Sequence, residues 1–222
     1  MLHVMVLMIF AGMQPTYSHQ EKAVRVTGKL PAKASCFICL QNGETELEKP
    51  AGAVTYKGKT YYFCNKEEVD AFSKDPDSFI PAPIPRPAPT FKLPTPSGTT
   101  FDFETTKGKV TLVDFWATWC APCVKAMPAV QKLHDTYAAQ GLSVVGISID
   151  EDGPKKVGAF LAKSKVKYTY PIALDNSAVW KQWGVKSLPT MILVKDGQIT
   201  KQWNGKVDIK DVERSVRDAL MR

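Results

Sequence analysis

The sequence contains no block of lysine or arginine. Its 29 basic and 22 acidic residues leave a net charge of +7, but the basic residues are scattered through every segment and no aromatic stripe of the kind that stacks bases accompanies them. Dispersed charge of this sort describes a solvated surface, so nucleic acid is not an expected partner. A hydrophobic run long enough to cross a bilayer is also missing. The most apolar stretch, MLHVMVLMIFAGM at residues 1–13, is shorter than the roughly 20 residues a helix needs to span a core of about 30 Å. Gln14 and Pro15 break it, and Thr16 and Ser18 then place small residues three and one positions before a cleavage point after Ser18. That is the pattern of a secretory signal peptide. No Lys or Arg precedes the run, so an uncleaved anchor or a wrongly assigned start codon stays open beside it. The expectation is an exported chain, periplasmic or otherwise outside the cytoplasm, free or held by its N-terminal segment. Export places cysteines where disulfides persist and where thiols stay reduced only if electrons are supplied. Cleavage after Ser18 would leave His19 as an N-terminal residue able to chelate copper.

What is present divides the chain. Its 222 residues suffice for one large or two modest domains. Between residues 81 and 96 the sequence PAPIPRPAPTFKLPTP is nearly half proline, which disfavours helix and holds the backbone extended. The expected organisation is a signal or anchor at 1–18, a small cysteine-bearing module at 19–80, a proline-rich linker at 81–96, and a larger domain at 86–222 that overlaps the end of the linker.

In the larger domain, VTLVDF at 110–115 is a continuous apolar strand pattern carrying one acid, as expected of a central strand covered on both faces. A helix follows over 121–140, stopped by Gly141, and LSVVGISID at 142–150 is a second buried strand. Helix signals at 154–163 and 178–183 flank a short strand at 170–173. TMILVKDGQITKQW reads as a hairpin turning at Asp196 and Gly197, and a last helix covers 208–220. Strands alternating with helices and closing in a hairpin predict an α/β sandwich around a mixed sheet.

The chemistry sits where the first strand meets the first helix, at WCAPC. If Cys120 begins the helix, its sulfur faces unpaired backbone amides and the positive end of the helix dipole, which favour thiolate over thiol. Cys120 is then the attacking thiol, and Cys123, one turn on, can resolve a mixed disulfide from the same side. A CxxC taken by itself also suits a structural disulfide or half of a zinc site.

The wider motif separates these readings. VDFWATWCAPCVKAMP together with SLPTMILVKDGQI resembles the thioredoxin superfamily, and PAPTFKLPTPSGTTFDFETTKGKVTLVDFWATWC resembles its exported TlpA-like and ResA-like thiol-disulfide oxidoreductase branch. The resemblance runs from about Arg86 to the C-terminus. It implies a thioredoxin-like mixed sheet sandwiched by helices and a protein-disulfide reductase that needs no cofactor for exchange. It makes Cys120 the nucleophile, Cys123 the resolving cysteine and Pro189 the cis-proline beside the active-site disulfide, with Trp119 and Leu188 at the substrate-docking surface. Pro128 matches the proline that kinks the active-site helix, and the segment 146–170 matches an extra strand and helix of the exported branch. The implied partners are exported proteins with disulfides or metal-site thiols, such as cytochrome c precursors or copper-site assembly proteins, and a membrane electron donor. Peroxidase chemistry, the nearest enzymatic rival on this fold, fits less well, because a peroxidatic cysteine typically sits in a Thr-x-x-Cys context without so close a partner.

Asp114 lies inside the apolar strand. Burial would raise its pKa unless it turned to solvent at the strand end. The resemblance implies a buried acid that helps move the proton of the resolving cysteine, at a position where the exported branch often carries Asn.

Upstream, Cys36 and Cys39 form a second CxxC, and Cys64 follows a hairpin, AVTYKGKTYYFC, turning at Lys57 and Gly58. Three thiolates so placed can converge on one soft or borderline ion. The segment 34–80 resembles the small TRASH and YHS metal-binding modules, which imply a copper or zinc site at Cys36, Cys39 and Cys64. Those modules commonly carry a further cysteine four residues after the last of these, where this chain has Glu68. Glu68 is either a carboxylate ligand or a solvated helix residue. A disulfide from Cys36 to Cys39 or to Cys64, and a redox relay with the downstream pair, are the other readings. The primary expectation is an exported disulfide reductase; the alternative is a metal-binding protein whose second domain docks partners or maintains metal-site thiols.

Overall fold

The computed structural model describes residues 22–41, 44–106 and 109–221. The signal or anchor segment and His19 lie outside the described residues. Among the described residues no helix is long and apolar enough to cross a membrane.

The N-terminal module is built on the hairpin of β1 (Gly52–Tyr56) and β2 (Lys59–Phe63), with Val24–Arg25 added along β1. Lys57 and Gly58 take positive φ of 48° and 69°, the mirror-image turn that suits the strand twist. Helix α1 (Lys66–Lys74) follows, capped by Asn65, whose side chain accepts the Glu68 N–H at 2.8 Å. Val54, Phe63 and Phe72 are fully buried and Tyr61 nearly so, and Phe37 and Phe79 close a ring-on-ring core around Phe72. A short helix, Phe37–Gln41, brings Cys36 and Cys39 to the end of β2.

The larger domain centres on β3 (Val110–Trp116), buried at every residue. In chain order there follow α2 (Ala121–Tyr137), β4 (Leu142–Ser148), α3 (Gly153–Lys163), β5 (Ile172–Leu174), α4 (Val179–Gln182), β6 (Thr190–Lys195), β7 (Gln198–Asn204) and α5 (Ile209–Leu220). The sheet order is β5-β4-β3-β6-β7, with Arg86–Pro87 as the outermost strand; β5, β4 and β3 run parallel, while β6, β7 and the edge strand pair antiparallel. This is the expected mixed α/β sandwich. The stop at Gly141 (φ 103°), the Asp196-Gly197 turn and the last helix fall where the sequence places them, with Asp208 as the N-cap of that helix. Between residues 146 and 170 the expected extra helix is α3, whereas the strand lies just beyond, as β5.

Half of the proline-rich stretch is built into the domain. Arg86 and Pro87 pair with β7, an edge position that tolerates proline. The Arg86 guanidinium donates to Trp183 O at 2.9 Å and to Gln202 Oε1 at 2.7 Å. Phe91 and Leu93 enter the core on one face of the sheet, with Val113, Phe115 and Trp183. The opposite face packs Leu112, Trp116, Met191 and Leu193 against α2 and α5.

Candidate active site

The site is made by the strand-to-helix junction after β3. Cys120 is the N-cap of α2, with extended φ/ψ of −87° and 91°, and its Sγ accepts the Cys123 N–H at 3.3 Å. Pro122 occupies the first turn, where its missing N–H removes no intrahelical bond. Cys120 and Cys123 are joined by a disulfide with a Cα–Cα distance of 5.2 Å. Cys120 is 6 % exposed and Cys123 1 %, so Cys120 carries the more accessible sulfur and the N-cap position, where the helix dipole favours a thiolate. Pro128 sits inside α2, as expected, and the helix runs on to Tyr137.

The loop that presents Cys120 is tied to the end of the neighbouring strand. Asp150, buried, accepts the Thr118 N–H at 2.8 Å, the Thr118 hydroxyl at 2.6 Å and the Ser148 hydroxyl at 2.8 Å. The sequence reading gave Asp150 no role. Its one signal was its place at the carboxyl end of a central parallel strand, where α/β folds build their sites. Asp150→Ala leaves one buried and two half-buried donors without their acceptor, so thermal unfolding of the oxidised protein should show a loss of about 2 kcal/mol, with slower disulfide exchange; an unchanged melting temperature would remove Asp150 from this role.

Asp114 is 2 % exposed and does not turn to solvent. Side chains alternate along β3, so Asp114 shares the face of Leu112 and Trp116, the face that also packs Cys120, Cys123 and Met127. Burial pushes its carboxyl up from 3.8 to about 7, and Oδ1 has no hydrogen-bond partner among the described residues. It pairs across the sheet with Gly146, where a Cβ would come within 3.1 Å of the Tyr170 ring and 3.2 Å of Trp116 Nε1. The glycine lets both rings close over the acid from that side.

Opposite Cys120 lies the loop before β6. The Leu188–Pro189 bond is cis, and Pro189 O accepts the Gly205 N–H at 2.8 Å. A groove of about 580 Å³ runs past Trp119, Cys120, Pro122, Trp180 and Leu188. Trp119 is 66 % exposed at its rim. The groove therefore brings together Trp119, Cys120 and Leu188; Cys123 joins through the disulfide, Pro189 follows Leu188 across the cis bond, and Asp114 lies on the sheet face that packs both cysteines.

Comparison with known proteins assigns the family. A family model described as Redoxin matches residues 85–220. The chain belongs to the Redoxin family. It is 37 % identical over 132 residues to the thioredoxin-like protein YneN of Bacillus subtilis, covering 58 % of this chain and 76 % of that one. It is 28 % identical over 173 residues to the thiol-disulfide oxidoreductase ResA of Bacillus cereus, covering 77 % and 89 %. Among solved structures, a putative thiol:disulfide interchange protein DsbE from Chlorobium tepidum superposes with a TM-score of 0.56 at 30 % identity, over 61 % of this chain and 96 % of that one. The Redoxin part is thus thioredoxin-like in fold, and the chain is a thiol-disulfide oxidoreductase.

Outside the Redoxin match, the Sγ atoms of Cys36, Cys39 and Cys64 all lie within 4.8 Å of one another, as free thiols. Glu68 is half-buried. The Asn65 cap fixes the first turn of α1 so that the Glu68 carboxylate faces the cluster, with Oε2 3.6 Å from Cys36 Sγ and 3.7 Å from Cys64 Sγ. Burial, then the neighbouring Cys36 and Cys64 sulfurs, hold the Cys39 thiol well above its ordinary value, and burial raises Cys64 as well. A cation bound here would displace protons.

Proposed function

We propose that the protein is an exported reductase of protein disulfides, working through Cys120 as nucleophile, Cys123 as resolving thiol and Asp114 as acceptor of the resolving proton. The observation that carries this is the seating of Cys120: a nearly buried sulfur at a helix N-terminus, accepting the Cys123 N–H, at the floor of a groove walled by Trp119 and Leu188. An extended substrate segment in that groove presents its disulfide to Cys120, and no cofactor enters the exchange. The signal-like pattern at residues 1–18 supports export to the periplasm or an equivalent compartment. There the partners are exported proteins with disulfides or metal-site thiols, and a membrane electron donor re-reduces Cys120 and Cys123.

The small module supports a second activity. Three soft sulfurs within 4.8 Å of one another form a donor set for copper or zinc, so Cys36, Cys39 and Cys64 hold the ion in this reading, with the Glu68 carboxylate reaching in from the side of Cys36 and Cys64. The reductase reading is tested by insulin reduction with the full chain and a small dithiol as electron source. Turbidity should appear at least about tenfold sooner than with the dithiol alone; equal lag times would reject it.

A further inference from the structure

The N-terminal module and the active-site groove share a wall. Trp180, Val185, Lys186 and Ser187 line the active-site groove, and the same four residues line a second cavity of about 490 Å³ that is bounded on the module's side by Ile38 and Phe79. Ile38 lies inside the N-terminal CxxC. The cluster itself opens into a third cavity, of about 390 Å³, lined by Cys36, Cys39 and three glutamates of the module together with Lys206 of the Redoxin part. Lys206 directly follows Gly205, the residue bonded to the Pro189 carbonyl. The fold therefore sets the segment that carries Cys36 and Cys39 against the same Redoxin surface that walls the active-site groove.

Within the cluster the three sulfurs are not equivalent. Cys36 is 4 % exposed, accepts the Cys39 N–H at 3.5 Å and faces Glu68. Cys39 and Cys64 are only half-buried, and their sulfurs stand 3.8 Å apart. An oxidant entering from the cavity meets Cys39, with Cys64 in position to complete the bond. This is a different pairing from the Cys36 disulfides that the sequence suggested.

We infer that Cys39 and Cys64 form a disulfide switch on the metal site, and that this disulfide is itself a substrate of the protein's Cys120–Cys123 dithiol. The inference rests on the metal-binding reading above. In the oxidising direction a low-molecular-weight disulfide accepts two electrons from the ion-bound Cys39 and Cys64 thiolates, which join as a disulfide, and its two halves leave as thiols after taking two protons from solvent. Two of the three sulfur ligands are then lost and the ion leaves. In the reducing direction the Cys120 thiolate attacks one sulfur of the Cys39–Cys64 bond, forming a mixed disulfide and expelling the other as thiolate, which takes up a proton. Cys123 gives its proton to Asp114 and attacks Cys120 Sγ, releasing the second module thiolate. Cys120 and Cys123 end oxidised by two electrons and Cys39 and Cys64 reduced by two, so the ion rebinds.

The test uses the full chain carrying Cys120→Ser and Cys123→Ser, reduced anaerobically and equilibrated with Zn²⁺ or with Cu⁺, then treated with oxidised glutathione. Mapping by alkylation and mass spectrometry should find Cys39 joined to Cys64 with Cys36 still alkylatable, and ion content should fall at least roughly tenfold. A Cys36→Ser chain should form the same disulfide. Adding a reduced Cys39→Ser chain, whose Redoxin cysteines are intact, should reopen the bond at least about a hundredfold faster than glutathione at equal thiol concentration, with ion uptake restored. A disulfide to Cys36, no disulfide at all, or reopening at the glutathione rate would overturn the switch. Failure of the reduced chain to take up either ion would instead overturn the metal reading and its gating, and the mapping and reopening rate would still be read separately.

Discussion

A Cys120→Ser chain should reduce insulin-type disulfides at the rate of the dithiol alone, a loss of at least about tenfold, while a Cys123→Ser chain loses turnover but still attacks. The asymmetry follows from the two positions. Cys120 carries the exposed edge of the pair and caps α2, so the amides of the first turn and the helix dipole act on its sulfur. Serine keeps the cap but offers a poorly acidic hydroxyl, and no mixed disulfide forms. Cys123 is 1 % exposed and reaches a substrate only through Cys120. Without it the Cys120 mixed disulfide has no neighbour to release it and accumulates. Non-reducing gels of Cys123→Ser incubated with a disulfide-bearing protein should show a covalent adduct that disappears when Cys120 is also replaced. If Cys123→Ser instead turned over normally and Cys120→Ser formed the adduct, the roles would be reversed.

The legible parts of this molecule were those whose causes are local. The Asp196-Gly197 turn, the stop at Gly141 and the start of the last helix each depend on backbone preferences of residues within a few positions, and all are found where expected. Cys120 as N-cap was legible for the same reason, since a strand pattern ends four residues before it and a helical pattern begins immediately after. What escaped was long-range. Asp150 meets Thr118 across 32 residues of chain, through a contact that only the parallel pairing of β3 and β4 creates. Glu68 was undecidable from spacing alone, because one helical turn from Cys64 permits either direction; the Asn65 cap and the position of Cys36 beside β2 settle it. The proline-rich stretch reads as a spacer by composition, yet Arg86 pairs with a strand more than a hundred residues away. Composition fixes the conformation such a segment prefers and says nothing of which sheet edge it meets.

Replacing Asp114 with Asn should change both stability and rate, and both changes should depend on pH in a direction fixed by burial. The folded carboxyl holds its proton up to about 7, whereas an ordinary aspartate releases it near 3.8. Between those values the native state binds more protons than the unfolded chain, so stability falls as pH rises through the window, by up to about 1.4 kcal/mol per unit and about 4 kcal/mol in all. That contribution is fully present below pH 4 and lost above pH 7. Asn, isosteric and uncharged, does not titrate, so urea unfolding of oxidised Asp114→Asn should give a flatter pH profile and a higher stability than wild type at pH 8. The rate should move the other way. An acceptor near 7 on the Cys123 face of β3 is matched to taking a thiol proton at neutral pH, and its removal should slow resolution of the mixed disulfide by about 10- to 100-fold there. The effect should shrink at higher pH, where hydroxide ionises Cys123 without help. Stopped-flow measurement of Trp119 fluorescence during exchange, from pH 5 to 9, separates the steps. Superimposable pH–rate profiles would reject the proton-acceptor role, even if the stability profile flattens as expected, and would leave Asp114 as a buried charge whose only measurable consequence is the cost it imposes on the fold.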